Sequence, residues 1–482
     1  MEAAAGGGWI MSRRLKFLVF VRGLTRGLRN LPRRTLSGGT AACAALAIRC
    51  PRTRAILPVV TMILAALTIS SCTSSCTMVT DPASKPPVIS PGVPTVRVKL
   101  GQPMHVVQVS TTSGYRLLAD GREVHASGSG LSATTFTYSN GRWTVSGGGL
   151  PSVINAGNLF IQLTGNGVVG LAPCNWSGSP TTALVYYRGD MRLLPQDASS
   201  FIAINHVDME GYIAGVIPKE LYPSWHYETY RALAIAARTF ALYHSRHPKF
   251  AGQPFDLGDN ESSQMYGGYT AERSVPYAYQ AVESTRGRVL VYGGQVFMAQ
   301  YSSCCGGRVN PAYVLRADAP DEGPLHGGQV CTDCTASNKF NWPPVTIRKW
   351  ELLYALQVRY ERARNLSSIS DIQVVSQTPY GRAVMVDVVG SGESVRLRAD
   401  DLRLAWNMYN NTKNGGNPAK SLNSMNCQWR ANSDSITFYN GHGYGHGVGL
   451  CQFGAEGKAS RGQSAEQILG AYYPGASVKR AW

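Results

Sequence analysis

The stretch whose reading decides the fold spans residues 211–243, GYIAGVIPKELYPSWHYETYRALAIAARTFALY. Its first part, 212–217, is an apolar, strand-like run that ends at Pro218 and Lys219. Glu220 follows, and Pro223 closes the turn. Proline fixes its own backbone and biases the residue before it away from helix, so Glu220 is expected on a bounded, rigid loop. From about Ser224 the pattern turns helical. Tyr230, Leu233, Ala234, Ala237 and Ala241 share one face, with Arg231 and Arg238 on another. Apolar on nearly every side, this helix is expected to be buried, with Arg238 bonding a carboxylate or loop carbonyl from within it. Taken alone, Glu220 reads first as an ordinary loop glutamate and second as a catalytic acid at the mouth of a buried helix.

The chain around this stretch has 482 residues, enough for two or three domains with sizeable cores. Abundant Gly and sparse charge suit a β-rich, turn-rich extracellular protein. Of the net charge of +17, residues 1–71 carry +10. The mildly basic remainder suits an anionic polymer or surface as well as plain solubility. No Lys/Arg run with interleaved aromatics points to nucleic acid. Arg49, Arg52 and Arg54 precede an apolar stretch, 55–69, which is short for a membrane span but right for the core of an export signal. It ends Ile69-Ser70-Ser71-Cys72, which resembles the lipobox of bacterial lipoproteins. That implies cleavage before Cys72 and a diacylglyceryl anchor there, each buried methylene adding about 0.8 kcal/mol of membrane affinity. The other reading is an uncleaved anchor. Residues 1–48 are assigned no fold.

Residues 72–94 are Ser/Thr/Pro-rich without periodicity and read as a tether. From 95 to about 215 short alternating runs dominate, separated by turns such as Asp120-Gly121 and Asn140-Gly141. Later segments mix the two types. Residues 276–285, 399–409 and 465–472 read as helices and 345–360 as partly helical. Residues 289–292, 296–301, 372–376, 383–389, 394–397 and 436–439 read as strands. The expectation is an α+β fold, a β-rich part over 95–186 leading into a mixed α+β body over 187–475. There is no βαβ rhythm, no repeat and no phosphate-binding glycine loop.

Two clusters bear chemistry. Cys304-Cys305 lies upstream of the CxxC Cys331–Cys334. Four thiolates arranged in this way suit a tetrahedral structural zinc, with one of Cys304 and Cys305, both of Cys331 and Cys334, and His326 as a fourth ligand or neighbour. Disulfides are the competing reading, since an exported protein allows them. The second cluster is GHGYGHGVG at 441–449, which puts His442 and His446 four residues apart. Five glycines in nine residues exclude a helix and suit a loop that lines a ligand. A hydrolytic metal site on these two His would need ligands that the loop does not supply.

Six ordered segments resemble the stage II sporulation protein D family of peptidoglycan lytic enzymes. Residues 212–220, YIAGVIPKE, look like that family's YLxGVVPSEM, and 225–241 its WxxEALKAQAVAARTYA helix. SQMYGG at 263–268 resembles SQVYxG, and 301–307 resembles YHSTSGG. Residues 441–455 look like GRGWGHGVGMSQYGA, and YYPG at 472–475 is the terminal motif. The resemblance covers roughly 187–475. It implies a lytic transglycosylase that cuts the MurNAc–GlcNAc bond of glycan strands, denuded ones by preference, with Glu220 as acid/base. Most glycosidases need two carboxylates. This chemistry needs one, because the substrate's own C6 hydroxyl attacks the anomeric carbon.

On that reading Gln264, Tyr266, His446 and Gln452 line the glycan site, and Tyr301 stacks on a sugar or packs in the core. The implied partners are glycan strands, the membrane through the lipid, and a cell-wall amidase, because members of the family are also described as amidase modifiers. The implied location is the extracytoplasmic face of the envelope. The chain also departs from the family pattern. Lys219 stands where the family has Ser, Leu221 where it has Met, and Leu233 where it has Gln. Some relatives bind zinc with His and Cys around YHSTSGG. Here the aligned His is Ser302, so a metal site has to be recomposed around Cys331 and Cys334.

Overall fold

The computed structural model describes residues 92–316 and 323–482. The expected export signal, Cys72 and most of the tether lie outside the described residues. Among those described, no helix is long and apolar enough to cross a membrane. The architecture is α+β, as the sequence pattern predicts.

Two mainly antiparallel sheets open the described chain, with Leu257–Gly258 added parallel to Thr95–Met104. One has seven strands in the order Leu257–Gly258, Thr95–Met104, Phe201–Asp208, Asp190–Pro195, Leu159–Leu163, Tyr115–Ala119 and Arg122–Ser127. The other has six and is built around Val106–Thr111. Alternation drives their packing, since strands such as Arg142–Ser146 bury every second residue. Trp143 of the second sheet meets Phe201 of the first, with ring centroids 4.9 Å apart. The core formed there is continuous with that of the helices, running from Val96 to Ala481. The β-rich part thus supports the body from within a shared core.

The strand Phe201–Asp208 runs directly into helix α1, Met209–Glu220. This corrects the expectation of a strand over 212–217 and a loop at Glu220. The Asp208 carboxylate accepts from the Glu210 and Gly211 amides and so caps the helix start. Tyr212, Ile213, Val216 and Ile217 are all fully buried. They read as a strand because they are β-branched or aromatic and because burial on every side erases the 3.6 period. Pro218 lies in the last turn, where it leaves the helix one amide short and the helix ends two residues later. Helix α2, Tyr227–Arg246, packs against α1 and is buried along most of its length. Two short helices, α3 (Gly268–Ser274) and α4 (Pro276–Ser284), complete the layer.

Residues 341–440 make a module with its own core around Trp342, Trp406 and Phe438. It contains helices α5 (Lys349–Arg359) and α6 (Ala399–Lys413) and two three-stranded sheets. Arg382 is buried in it, and Nη2 donates to Gly445 O of the glycine–histidine loop at 3.3 Å. The chain then returns to the first core with α7 (Gln452–Ala459), α8 (Ala465–Tyr472) and a last strand, Ser477–Arg480, paired with Arg288–Tyr292.

Candidate active site

Glu220 is the last residue of α1, half-buried, and three segments distant in sequence converge on it. The Met265 amide donates to Oε1 at 2.9 Å, the Tyr301 hydroxyl to Oε1 at 3.3 Å, and Gln452 Nε2 to Oε2 at 3.1 Å. Gln264 stands behind Tyr301. It is buried, and its Nε2 donates to the Tyr301 hydroxyl (2.9 Å) and to Ala237 O (3.3 Å). Burial pushes the Glu220 carboxyl above its ordinary value, and the three donors oppose that rise without cancelling it. Its position at the C-terminal end of a helix, where the macrodipole is negative, acts in the same direction as burial.

The Met265 contact depends on a glycine. The loop 263–268 docks against α1 through the Gly267 amide, which donates to Gly215 O at 3.0 Å. A Cβ on Gly215 would sit 2.5 Å from the Tyr266 ring and 3.0 Å from Gly268 Cα. Only the bare backbone admits the loop at this depth. Lys219, the residue in place of the family's serine, is exposed, and its methylenes lie beside Gly267.

Two of the sequence-predicted lining residues serve as supports. Tyr266 is buried, donates its hydroxyl to Asn205 Oδ1 at 2.8 Å, and packs on the Tyr212 ring. His446 accepts the Val448 amide on Nδ1 at 3.0 Å and hydrogen-bonds the Tyr301 backbone. Burial, with Arg382 and Arg403 nearby, holds its imidazole down at about 4, so it is neutral. His446 steadies the strand that presents Tyr301.

The second site is a nest of thiols. One sulfur each from Cys305, Cys331, Cys334 and Cys451 lies within 4.8 Å of the others, all four residues buried. Cys305 Sγ and Cys334 Sγ are 3.8 Å apart, and all four cysteines are free thiols. A disulfide is about 2.05 Å long. A tetrahedral zinc with bonds of about 2.3 Å requires sulfurs about 3.8 Å apart. The donor set fits zinc. The fourth sulfur belongs to Cys451 where the sequence pointed to His326, whose Nδ1 lies against Gly323 O at the surface. Cys304 is also outside the set, its backbone paired with Tyr444 and its Sγ directed at Cys334 O. Among the described residues, His442 and His446 belong to no group of three or more metal-ligating side chains. Cys451 is also the N-cap of α7, accepting the Gly454 amide at 3.4 Å, and the next residue is Gln452. The nest is therefore one residue from a side chain that holds Glu220.

A model of the stage II sporulation protein family matches residues 197–292, which contain α1, α2 and the docked loop. The chain is 26% identical over 293 residues to stage II sporulation protein D of Bacillus subtilis, covering 58% of this chain and 76% of that protein. Over this segment the chain is similar to the stage II sporulation protein D family. Also similar to this chain are an uncharacterised protein of Brachyspira hyodysenteriae, 28% identical over 61% of this chain and 72% of its own length, and the amidase enhancer of Bacillus subtilis. The latter is 25% identical over 55% of this chain but only 40% of its own length. The matched family segment includes Glu220 and Gln264, while Tyr301, Cys451 and Gln452 lie beyond it.

Sequence reasoning missed two contributors. Met265 acts through its backbone amide, which no side-chain pattern reveals. Cys451 lies far along the chain from the CxxC, and its signal was its place beside Gln452 in a loop already marked as functional.

Proposed function

We propose that the protein is a peptidoglycan lytic transglycosylase that cleaves the MurNAc–GlcNAc bond, preferring denuded strands, with Glu220 as its single acid/base. The observation that carries this reading is the environment of Glu220, a half-buried carboxyl held by three neutral donors, with no second carboxylate among its contacts. Oε1 already receives two donors and Oε2 one, so Oε2 is the oxygen free to carry the proton. Oε2–H protonates the glycosidic oxygen as the C1–O bond breaks. The resulting carboxylate takes the proton of the C6 hydroxyl as O6 bonds to C1, giving a 1,6-anhydromuramyl end. Water is not consumed, and Glu220 returns to its protonated state.

Mass spectrometry of denuded glycan incubated with the protein tests the mechanism. Anhydro ends are expected, and their absence, or their persistence with Glu220→Gln, sinks it. A second reading, a glycan-binding amidase modifier, is favoured by the relative named amidase enhancer. It predicts glycan binding and stimulation of a cell-wall amidase without anhydro ends. A zinc hydrolase built on His442 and His446 is disfavoured because His446 is occupied by Val448 and Tyr301.

A zinc ion held by Cys305, Cys331, Cys334 and Cys451 would act structurally, fastening the 303–305 loop, the CxxC and the start of α7 to one point. A role at the cell wall fits the family, with an extracytoplasmic location and, through Cys72, a lipid anchor. Incorporation of labelled fatty acid that disappears with Cys72→Ala tests the anchor.

A further inference from the structure

Beyond Glu220 the chain leaves α1 through Leu221, which is buried, and then turns outward. Tyr222 is 57% exposed. A lone exposed tyrosine asks for no explanation. This one is braced. Its ring centroid lies 5.3 Å from that of Trp225 and 6.0 Å from that of Phe453, and Trp225 and Phe453 meet edge-on at 4.9 Å. The Trp225 amide donates to Tyr222 O at 3.1 Å, closing the turn that holds the first two rings together. Two unconnected segments supply these rings, and in each the ring is adjacent to the reacting group. Tyr222 stands two residues after Glu220, and Phe453 directly follows Gln452, whose amide bonds the Glu220 carboxylate.

We propose that Tyr222, supported by Trp225 and Phe453, is the stacking platform for an uncharged sugar ring next to the bond being cleaved. This rests on the glycan-cleaving reading of Glu220 and extends it to substrate choice. Aromatic rings present large apolar faces at low conformational cost, and side chains already fixed by their neighbours lose little entropy when a ligand arrives. The ligand chemistry follows from the surroundings. Residues 221–227 contain no Lys or Arg, the imidazole of His226 has its Nδ1 taken by Glu456 at 2.8 Å, and the side chain of Lys219 runs beside Gly267. Such a surface fits the C–H face of a β-1,4-linked N-acetylhexosamine and offers no cation to an acidic stem peptide.

Titration of the Glu220→Gln protein with a hexamer of β-1,4-linked N-acetylglucosamine, and with denuded glycan strands, tests the platform without turnover. Tyr222→Ala in that background is expected to weaken both about tenfold, Tyr222→Phe to leave them within twofold, and neither to move the thermal unfolding midpoint. In the active protein, Tyr222→Ala is expected to raise KM more than it lowers kcat. Equal affinity of the Tyr222→Ala protein and its parent overturns the proposal, as does a parent that binds neither probe. The catalytic reading is tested separately: anhydro ends formed by Glu220→Gln would remove Glu220 from the chemistry and leave the titration to judge the platform.

Discussion

Helix α1 carries a glutamate at each end, and the two are treated oppositely. Glu210, in the first turn, is buried and bonded by Arg238 at 2.7 Å, with the Gly287 amide and the Trp482 indole N–H on its other oxygen. Its negative charge faces a full positive charge and the favourable end of the helix dipole. Glu220, in the last turn, meets only neutral donors, burial and the unfavourable end. The same residue type is thus tied into an ion pair at one end and set among neutral donors at the other. The charge of the partner and the end of the helix dipole separate them.

Exchange of each acid for its amide breaks the comparison most severely. Glu220→Gln is expected to lower anhydro-product formation by about 10³ to 10⁴-fold while the unfolding midpoint stays put, because general acid catalysis is lost and no ion pair is. Glu210→Gln is expected to do the reverse. It leaves Arg238 charged and buried without its partner, at a cost of about 3–5 kcal/mol in urea unfolding, with the remaining folded protein still active. An active, unstable Glu220→Gln or a stable, inactive Glu210→Gln would undo the distinction.

A metal effect confined to one end would sharpen it. On the zinc reading proposed above, dialysis against a chelator, or Cys331→Ser, is expected to remove one equivalent of zinc by elemental analysis and to lower kcat/KM about tenfold. Cys451 no longer fixes the start of α7, so Gln452 loses its aim at Glu220. Hydrogen exchange is expected to quicken in α7 and to stay slow in α2 around Arg238. Uniform loss of protection would make the nest a support for the whole core.

Much of this was readable from residue pattern alone. The helix at 465–472 appears with the boundaries expected, since its period is intact and Ser464 and Gln467 form a reciprocal cap. The strands Ala383–Val389 and Ser394–Arg398 also follow their alternation, while Asp371–Gln377 is a strand in the expected place with only Ile372 buried. Gln264, Tyr301 and Gln452 meet at Glu220 because polar side chains in glycine-rich loops had to face something. The failures share one cause, which is that tertiary burial overwrites local pattern. Residues 212–217 lost their helical period to all-round packing, and Gln452–Ala459 hid a helix behind Gly454 and Gly457. There glycine is needed because a Cβ at 454 would sit 2.0 Å from the Tyr472 hydroxyl. Tyr266 and His446 carry functional-looking side chains but spend them on Asn205 and on the Tyr301 backbone.

The smallest effect tests why Glu220 differs from Glu210. The acid step needs the protonated carboxyl, so kcat falls as pH rises through the Glu220 pKa, and that limb is expected above the usual carboxylate value of about 4.3. Gln452 donates to the ionised form and lowers the pKa. Gln452→Leu removes that donor, so the limb is expected to move further up, with kcat at low pH changed little. Tyr301→Phe has the same sign and a smaller size, its contact being longer. Lys219→Ser restores the family residue at an exposed position and should leave the limb where it was. A downward shift in Gln452→Leu would mean that the amide serves the neutral acid, and the proton would then have to be reassigned from Oε2 to Oε1.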